Sequence, residues 1–165
     1  MIPEIKPYKL HRKEKMDGIK LVLSRHKKEL PKINLSRVTD PLCTNQWVTV
    51  SNEDKKIISA GRVVKSGMNK WIIKDLVTDN MYRGKGIASD VVDVLVKKAI
   101  RGGAKVIETN VSYDNVPVKK IFENLGFKED EHKKRLSDDD IRYVFYPQKK
   151  ERTKLKTYTP SLYRF

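Results

Sequence analysis

The eight residues from Tyr82 to Ser89, Tyr-Arg-Gly-Lys-Gly-Ile-Ala-Ser, lie between two apolar runs of different period. Before them, residues 71–78 read Trp-Ile-Ile-Lys-Asp-Leu-Val-Thr, with the aromatic and β-branched content of a strand. After them, Ile87, Val91, Val92, Leu95 and Ala99 recur at helical spacing until Gly102-Gly103 stops the pattern. A strand joined to a helix by so short a turn confines the chain to folds in which that helix lies back on a sheet. The turn itself is bare and carries Arg83 and Lys85. A helix start leaves four amides without intrahelical acceptors and bears partial positive charge. Glycine lets backbone approach a ligand closely. Together these predict an anion site, with phosphate the natural occupant.

The rest of the chain fills in that layout. A short strand is expected over residues 5–10 and a helix over 13–30, ended by Pro31. Residues 47–51, 57–64 and 71–78 read as three strands of an antiparallel meander. A strand follows over 106–112. Val118, Ile121, Phe122 and Leu125 then mark one face of another helix, with Asn115 as its cap and Pro117 in its first turn. Two last strands are expected over 127–132 and 141–147. The order predicts an α/β (α+β) fold: a mixed, largely antiparallel sheet flanked by helices, with parallel pairing where the long helix links two strands. Residues 1–147 read as one domain and 148–165 as a basic tail.

Composition narrows the setting. No apolar run approaches the ~20 residues of a membrane helix. Cys43 is the only cysteine, which excludes an intramolecular disulfide and fits a cytoplasmic protein. No metal-spaced cluster of ligands occurs, and His132 and Asp138-Asp139-Asp140 read as loop surface. The net charge of +15 raises the question of polyanionic partners. A lysine-rich solvated surface accounts for it equally well. The charge is uneven, however. After Gln148 come Lys149, Lys150, Arg152, Lys154, Lys156 and Arg164 against Glu151 alone, interleaved with Tyr158, Tyr163 and Phe165. Cations among aromatics suit RNA. They suit equally a tail that docks on its own domain.

Two common phosphate motifs are excluded. A P-loop needs Gly-Lys followed by Ser or Thr, and here Lys85 is followed by Gly86. A dinucleotide fingerprint wants a third glycine where Ser89 stands. What the segment does resemble is the signature of the GNAT superfamily of acetyl-CoA-dependent N-acetyltransferases. That signature is Arg or Gln, two residues, Gly, one residue, then Gly or Ala. Arg83, Gly86 and Ala88 meet it, after the strand end Leu76-Val77-Thr78. A second signature follows in order and spacing: Asn115, Phe122, Gly126 and Phe127. The resemblance covers residues 57–146.

The resemblance implies a site. The pyrophosphate of coenzyme A would sit on the turn formed by Arg83, Gly84, Lys85, Gly86, Ile87, Ala88 and Ser89. The strand would splay from its neighbour near Leu76, Val77 and Thr78, and its freed backbone would pair with the pantetheine arm. The Leu76 amide would face the acetyl carbonyl, and Asn115 and Phe122 would also line the cofactor. The reaction implied is direct attack of an amine on the thioester. An amine of pKa ~10.4 must first lose a proton. Asp75 and Glu108 are the candidate bases, directly or through a water; the alternative for both is an ordinary strand-face carboxylate paired with a lysine such as Lys74. Many members protonate the leaving thiolate with a tyrosine, and Phe122 stands in that place. Tyr113 is the candidate substitute. A thiol of pKa roughly 8.5 also leaves tolerably as an anion. The acceptor is a protein amine, a small amine or an RNA-linked amine. The competing expectation is a non-catalytic acyl-CoA-binding or nucleic-acid-binding module on the same scaffold.

Overall fold

In a computed structural model, residues 9–11, 16–28, 45–130 and 139–147 are described. Their elements are β1 (Lys9–His11), α1 (Met16–Arg25), β2 (Asn45–Ser51), β3 (Ile57–Lys65), β4 (Lys70–Thr78), a 3-10 turn (Asn80–Tyr82) and α2 (Ile87–Arg101). They continue with β5 (Val106–Ser112), α3 (Val116–Asn124), β6 (Lys128–Glu129) and β7 (Asp140–Phe145). The strands form one sheet in the order β1-β2-β3-β4-β5-β7-β6. Only the β4–β5 pair is parallel, and α2 is its crossover. The mixed sheet flanked by helices agrees with the sequence reading.

Both faces of the sheet centre are covered. Val48, Val50, Ile58, Val63, Trp71 and Ile73 pack with Val91, Val92 and Leu95 of α2. Trp47, Ile57, Ala60 and Val77 pack with Ile19, Val22 and Leu23 of α1 on the other face. Double coverage explains why β2 is buried from Trp47 through Ser51 without alternation. Phe122 of α3 joins the α2 side.

Some boundaries differ from expectation for local reasons. The first helix spans Met16–Arg25 and passes into a turn through Lys28; residues 29–30 of the expected helix lie outside the described residues, as do 12–15 and 5–8. The expected strand at Phe127 starts one residue later, because the Phe127 amide still donates to the Phe122 carbonyl (3.0 Å) and closes α3. At the end of α2, a Cβ on Gly102 would collide with the Trp71 ring, so the helix can end this close to β4 only on glycine. His132, Asp138 and the tail 148–165 lie outside the described residues.

Candidate active site

β4 does not run straight. Its register on β3 jumps between Ala60 and Arg62: Lys74 faces Arg62 and Val77 faces Ala60, so Asp75 and Leu76 share the single place opposite Gly61. Asp75 is the extra residue of this bulge and takes φ +55, in the left-handed region. On the other edge, β4 pairs with β5 only over Lys70–Ile73, opposite Val106–Thr109. Beyond that point β5 continues along β7 through Ser112, while β4 stays with β3 through Thr78. The two parallel strands therefore part into a fork. Thr109 marks its base, its hydroxyl donating to the Ile73 carbonyl at 3.2 Å. Leu76, Val77 and Thr78 lie along the β4 arm. The Val77 carbonyl accepts from Ser59 (2.8 Å) and that of Thr78 from Arg83 Nε (2.9 Å). The Asp79 amide donates to the Ile58 carbonyl, and Val77, two residues earlier and opposite Ala60, likewise faces β3. Of the two carbonyls, that of Thr78 therefore lies on the fork side, where its second lone pair is open to a further donor.

The glycine turn follows directly. Gly84 and Gly86 take φ +74 and +80, and Gly86 caps α2. The first helical amide to find its acceptor is that of Asp90, on the Gly86 carbonyl (3.1 Å). The amides of Ile87, Ala88 and Ser89 precede that bond and have no intrahelical acceptor. A Cβ at Gly84 would meet nothing within 4 Å, so the turn borders open space. Arg83, Gly84, Lys85 and Gly86 are all exposed there. Arg83 curls back onto the end of β4, and Lys85 lies over the Tyr82 ring at 5.7 Å.

The other candidates fall in different places. Asp75 is gripped by Arg62 Nε of β3, whose guanidinium also lies over Trp47 (5.9 Å). Glu108 sits opposite Ile72, below the base of the fork, buried in an ion pair with Lys70 Nζ at 2.9 Å. Tyr113, just past β5, is 53% exposed, with Lys119 Nζ over its ring at 4.8 Å. Asn115 caps α3, its Oδ1 accepting from the Val118 amide at 3.3 Å. Phe122 is buried against Phe127. Thus Asp75, Leu76 to Thr78 and the glycine turn are brought together, whereas Glu108 stands apart from the fork.

One cluster had no signal in the sequence. Asp79, between β4 and the glycine turn, accepts from Arg25 Nε and Nη2 (3.3 and 2.9 Å) and lies 2.8 Å from His26 Nε2. Arg25 also donates to the Ile57 carbonyl at 2.7 Å. The C-terminal end of α1 is thereby tied to the root of the glycine turn. A separate cavity of about 360 Å³ between α1 and the β2–β3 turn shares Arg25 but none of the fork residues. No metal-ligating group occurs among the described residues. Nor is any helix among them long and apolar enough to cross a membrane.

The sequence profile of the acetyltransferase (GNAT) family matches residues 21–127. The chain belongs to the GNAT family. Solved structures of similar fold include a GNAT-family acetyltransferase from Staphylococcus aureus, 16% identical, with TM-score 0.68, covering 84% of this chain and 98% of that one. A Salmonella typhimurium protein described as a candidate acetyltransferase, solved with its cofactor acetyl-CoA, is 10% identical with TM-score 0.66 over 85% and 94%. A spermidine N-acetyltransferase chimera from Vibrio cholerae is 14% identical with TM-score 0.65 over 87% and 97%. At these identities the likeness is one of fold. A search of curated proteins gives no match to the chain.

As a GNAT chain, it departs from the family pattern at one point of chemical weight. The Phe122 ring has no proton to give, and it is packed away from solvent. Tyr113, two residues before the Asn115 cap of α3, is exposed to solvent.

Proposed function

We propose that the protein is an acetyl-CoA-dependent N-acetyltransferase that acts on a primary amine by direct attack in a ternary complex. The observation that carries this reading is the fork between β4 and β5 opening straight into an amide-rich glycine turn. The residues present fit the coenzyme. Open space at Gly84, helix-start amides without intrahelical acceptors, and the charges of Arg83 and Lys85 suit a pyrophosphate. The β5-facing edge of Leu76, Val77 and Thr78 suits an extended amide chain, which would add to the sheet as a strand. The Leu76 amide would polarise the carbonyl under attack. Asn115 would flank the same arm while still capping α3, and Phe122, buried against Phe127, would support that helix from the core side.

Bound there, acetyl-CoA would supply a thioester carbonyl, to be taken up by an amine as an amide while the coenzyme departs as a thiol. The chain's own contribution is chiefly to align the two reactants and exclude misaligned ones. The Asp75 backbone stands beside the fork while its carboxylate is engaged by Arg62 of β3, and Glu108 is engaged by Lys70 below the fork, so a water at the fork would relay the amine's proton. Tyr113 or water would return a proton to the thiolate. Loss of a positioned acid lowers rate typically by about 10²- to 10⁴-fold and leaves binding intact.

For the acceptor, the basic charge favours an amine held in an anionic assembly, such as a protein or RNA-linked amine, with the tail 148–165 as recruiter. The test is a thermal-shift titration with acetyl-CoA followed by thiol release over a panel of amines, including a lysine peptide and an aminoacyl-tRNA. A shift with turnover supports the reading. A shift with no turnover on any amine favours the non-catalytic acyl-CoA-binding module, and no shift at millimolar acetyl-CoA overturns both.

A further inference from the structure

We propose that Asp75 serves the site as a conformational lock, with Arg62 as its anchor, and is a positioning residue for the fork. This rests on the acetyl-CoA reading above.

Asp75 is the bulge residue at which β4 leaves β5, and its φ of +55 is unfavourable for a residue with a Cβ. Something must hold it there. Arg62, on the neighbouring strand, binds the Asp75 carboxylate through Nε, and its guanidinium is itself laid over Trp47. Both side chains of the pair are largely buried, at 15% and 14% exposure. The carboxylate is therefore held over β3, on the side of β4 away from β5. A base poised over the fork would face the other way. The effect of the lock falls on the backbone. With Asp75 in the bulge, Leu76 turns to the α2 face, where it packs on the core, and the chain from Lys74 onward runs free of β5. Were the bulge to relax, every residue from Leu76 to Thr78 would shift register and exchange faces. Asp tolerates the left-handed region better than most residues, and glycine enters it without strain. Glycine at position 75 would therefore need no anchor.

That gives a test with opposite signs. Acetyl-CoA and ADP, which lacks the pantetheine arm, are titrated calorimetrically into wild type, Arg62→Met, Asp75→Ala, Asp75→Gly and the double variant Arg62→Met/Asp75→Gly, with melting temperatures taken in parallel. The lock predicts that Arg62→Met and Asp75→Ala weaken acetyl-CoA about tenfold, the scale of one strained residue. Asp75→Gly and the double variant should stay within about threefold of wild type, so glycine rescues the loss of the anchor. ADP should bind all five alike, since it needs only the turn. Equal acetyl-CoA affinity in every variant overturns the lock and returns Asp75 to the role of base. Loss in Asp75→Gly as great as in Asp75→Ala also overturns it, since the carboxylate itself would then be what matters. Absence of acetyl-CoA binding in wild type would instead sink the cofactor reading.

Discussion

Phe122 and Phe127 meet edge to face, their ring centroids 5.0 Å apart at 76°, and Phe127 stacks in turn on Phe145 at 5.2 Å. The aromatic of the second signature is thus part of a closed three-ring cluster that pins α3 to β7. Adding a hydroxyl to Phe122, 1% exposed, buries a polar group among rings. Phe122→Tyr is expected to lower stability by roughly 1–3 kcal/mol, read from a denaturant midpoint, and not to raise turnover. Unchanged stability with higher turnover would place the hydroxyl in the fork and restore the family's usual acid.

Gly86→Asp should abolish the thermal shift caused by acetyl-CoA. The substitution forces a side chain into φ +80 and sets a carboxylate where the pyrophosphate would lie. A retained shift would move the anion site elsewhere.

Asp79→Ala removes the shared partner of Arg25 and of buried His26. Stability should fall by roughly 1–3 kcal/mol. Amide exchange should rise first in α1, which loses its tie to the turn. A uniform rise across the sheet would show that the cluster is not a local tether.

Burial, and then the Glu123 carboxylate that accepts from its hydroxyl at 3.0 Å, push the Tyr143 phenol up to about 12 from its ordinary 10. The folded state thus holds this proton more tightly than the unfolded chain. The resulting stabilisation is complete below pH 10 and is lost as pH rises from 10 to 12. Tyr143→Phe should flatten that alkaline decline in melting temperature; an unaltered slope would assign it to other groups.

The tail yields a prediction about salt. If residues 148–165 recruit RNA, deleting them should flatten the dependence of RNA affinity on salt while acetyl-CoA affinity stays put. A lower melting temperature with the same salt slope would mean that the tail's aromatics dock on the domain.

How much of this was legible differs by element. The glycine turn could be read directly, because only glycine enters positive φ freely and both glycines do so. The strand Val106–Ser112 and the cap at Asn115 were equally plain, being set by local residues. The bulge was not. Its one trace is the pair of consecutive polar residues Lys74 and Asp75 within an apolar strand, and nothing local tells which partner will hold them. Asp79 and His26 stand 53 positions apart and meet only through the packing of α1 on β3 and β4. Glu108 pairs with a lysine, as one reading of its strand allowed, but with Lys70 and not Lys74. Its strand could be read, but the point where that strand parts from β4 depends on the bulge.

The parallel seam between β4 and β5 is only four residue pairs long, and it joins the β1–β4 meander to β5, β7 and β6. β2, β3 and β4 are successive hairpin neighbours that can assemble as the chain emerges, whereas β5, α3, β6 and β7 form a second local unit. One core cluster runs beneath both units, so the short backbone seam is the part of their junction left open to a ligand. A ligand strand laid in the fork would bridge them. Occupancy of the site should therefore slow amide exchange along both arms of the fork together, so that the ends of β4 and β5 open as one unit.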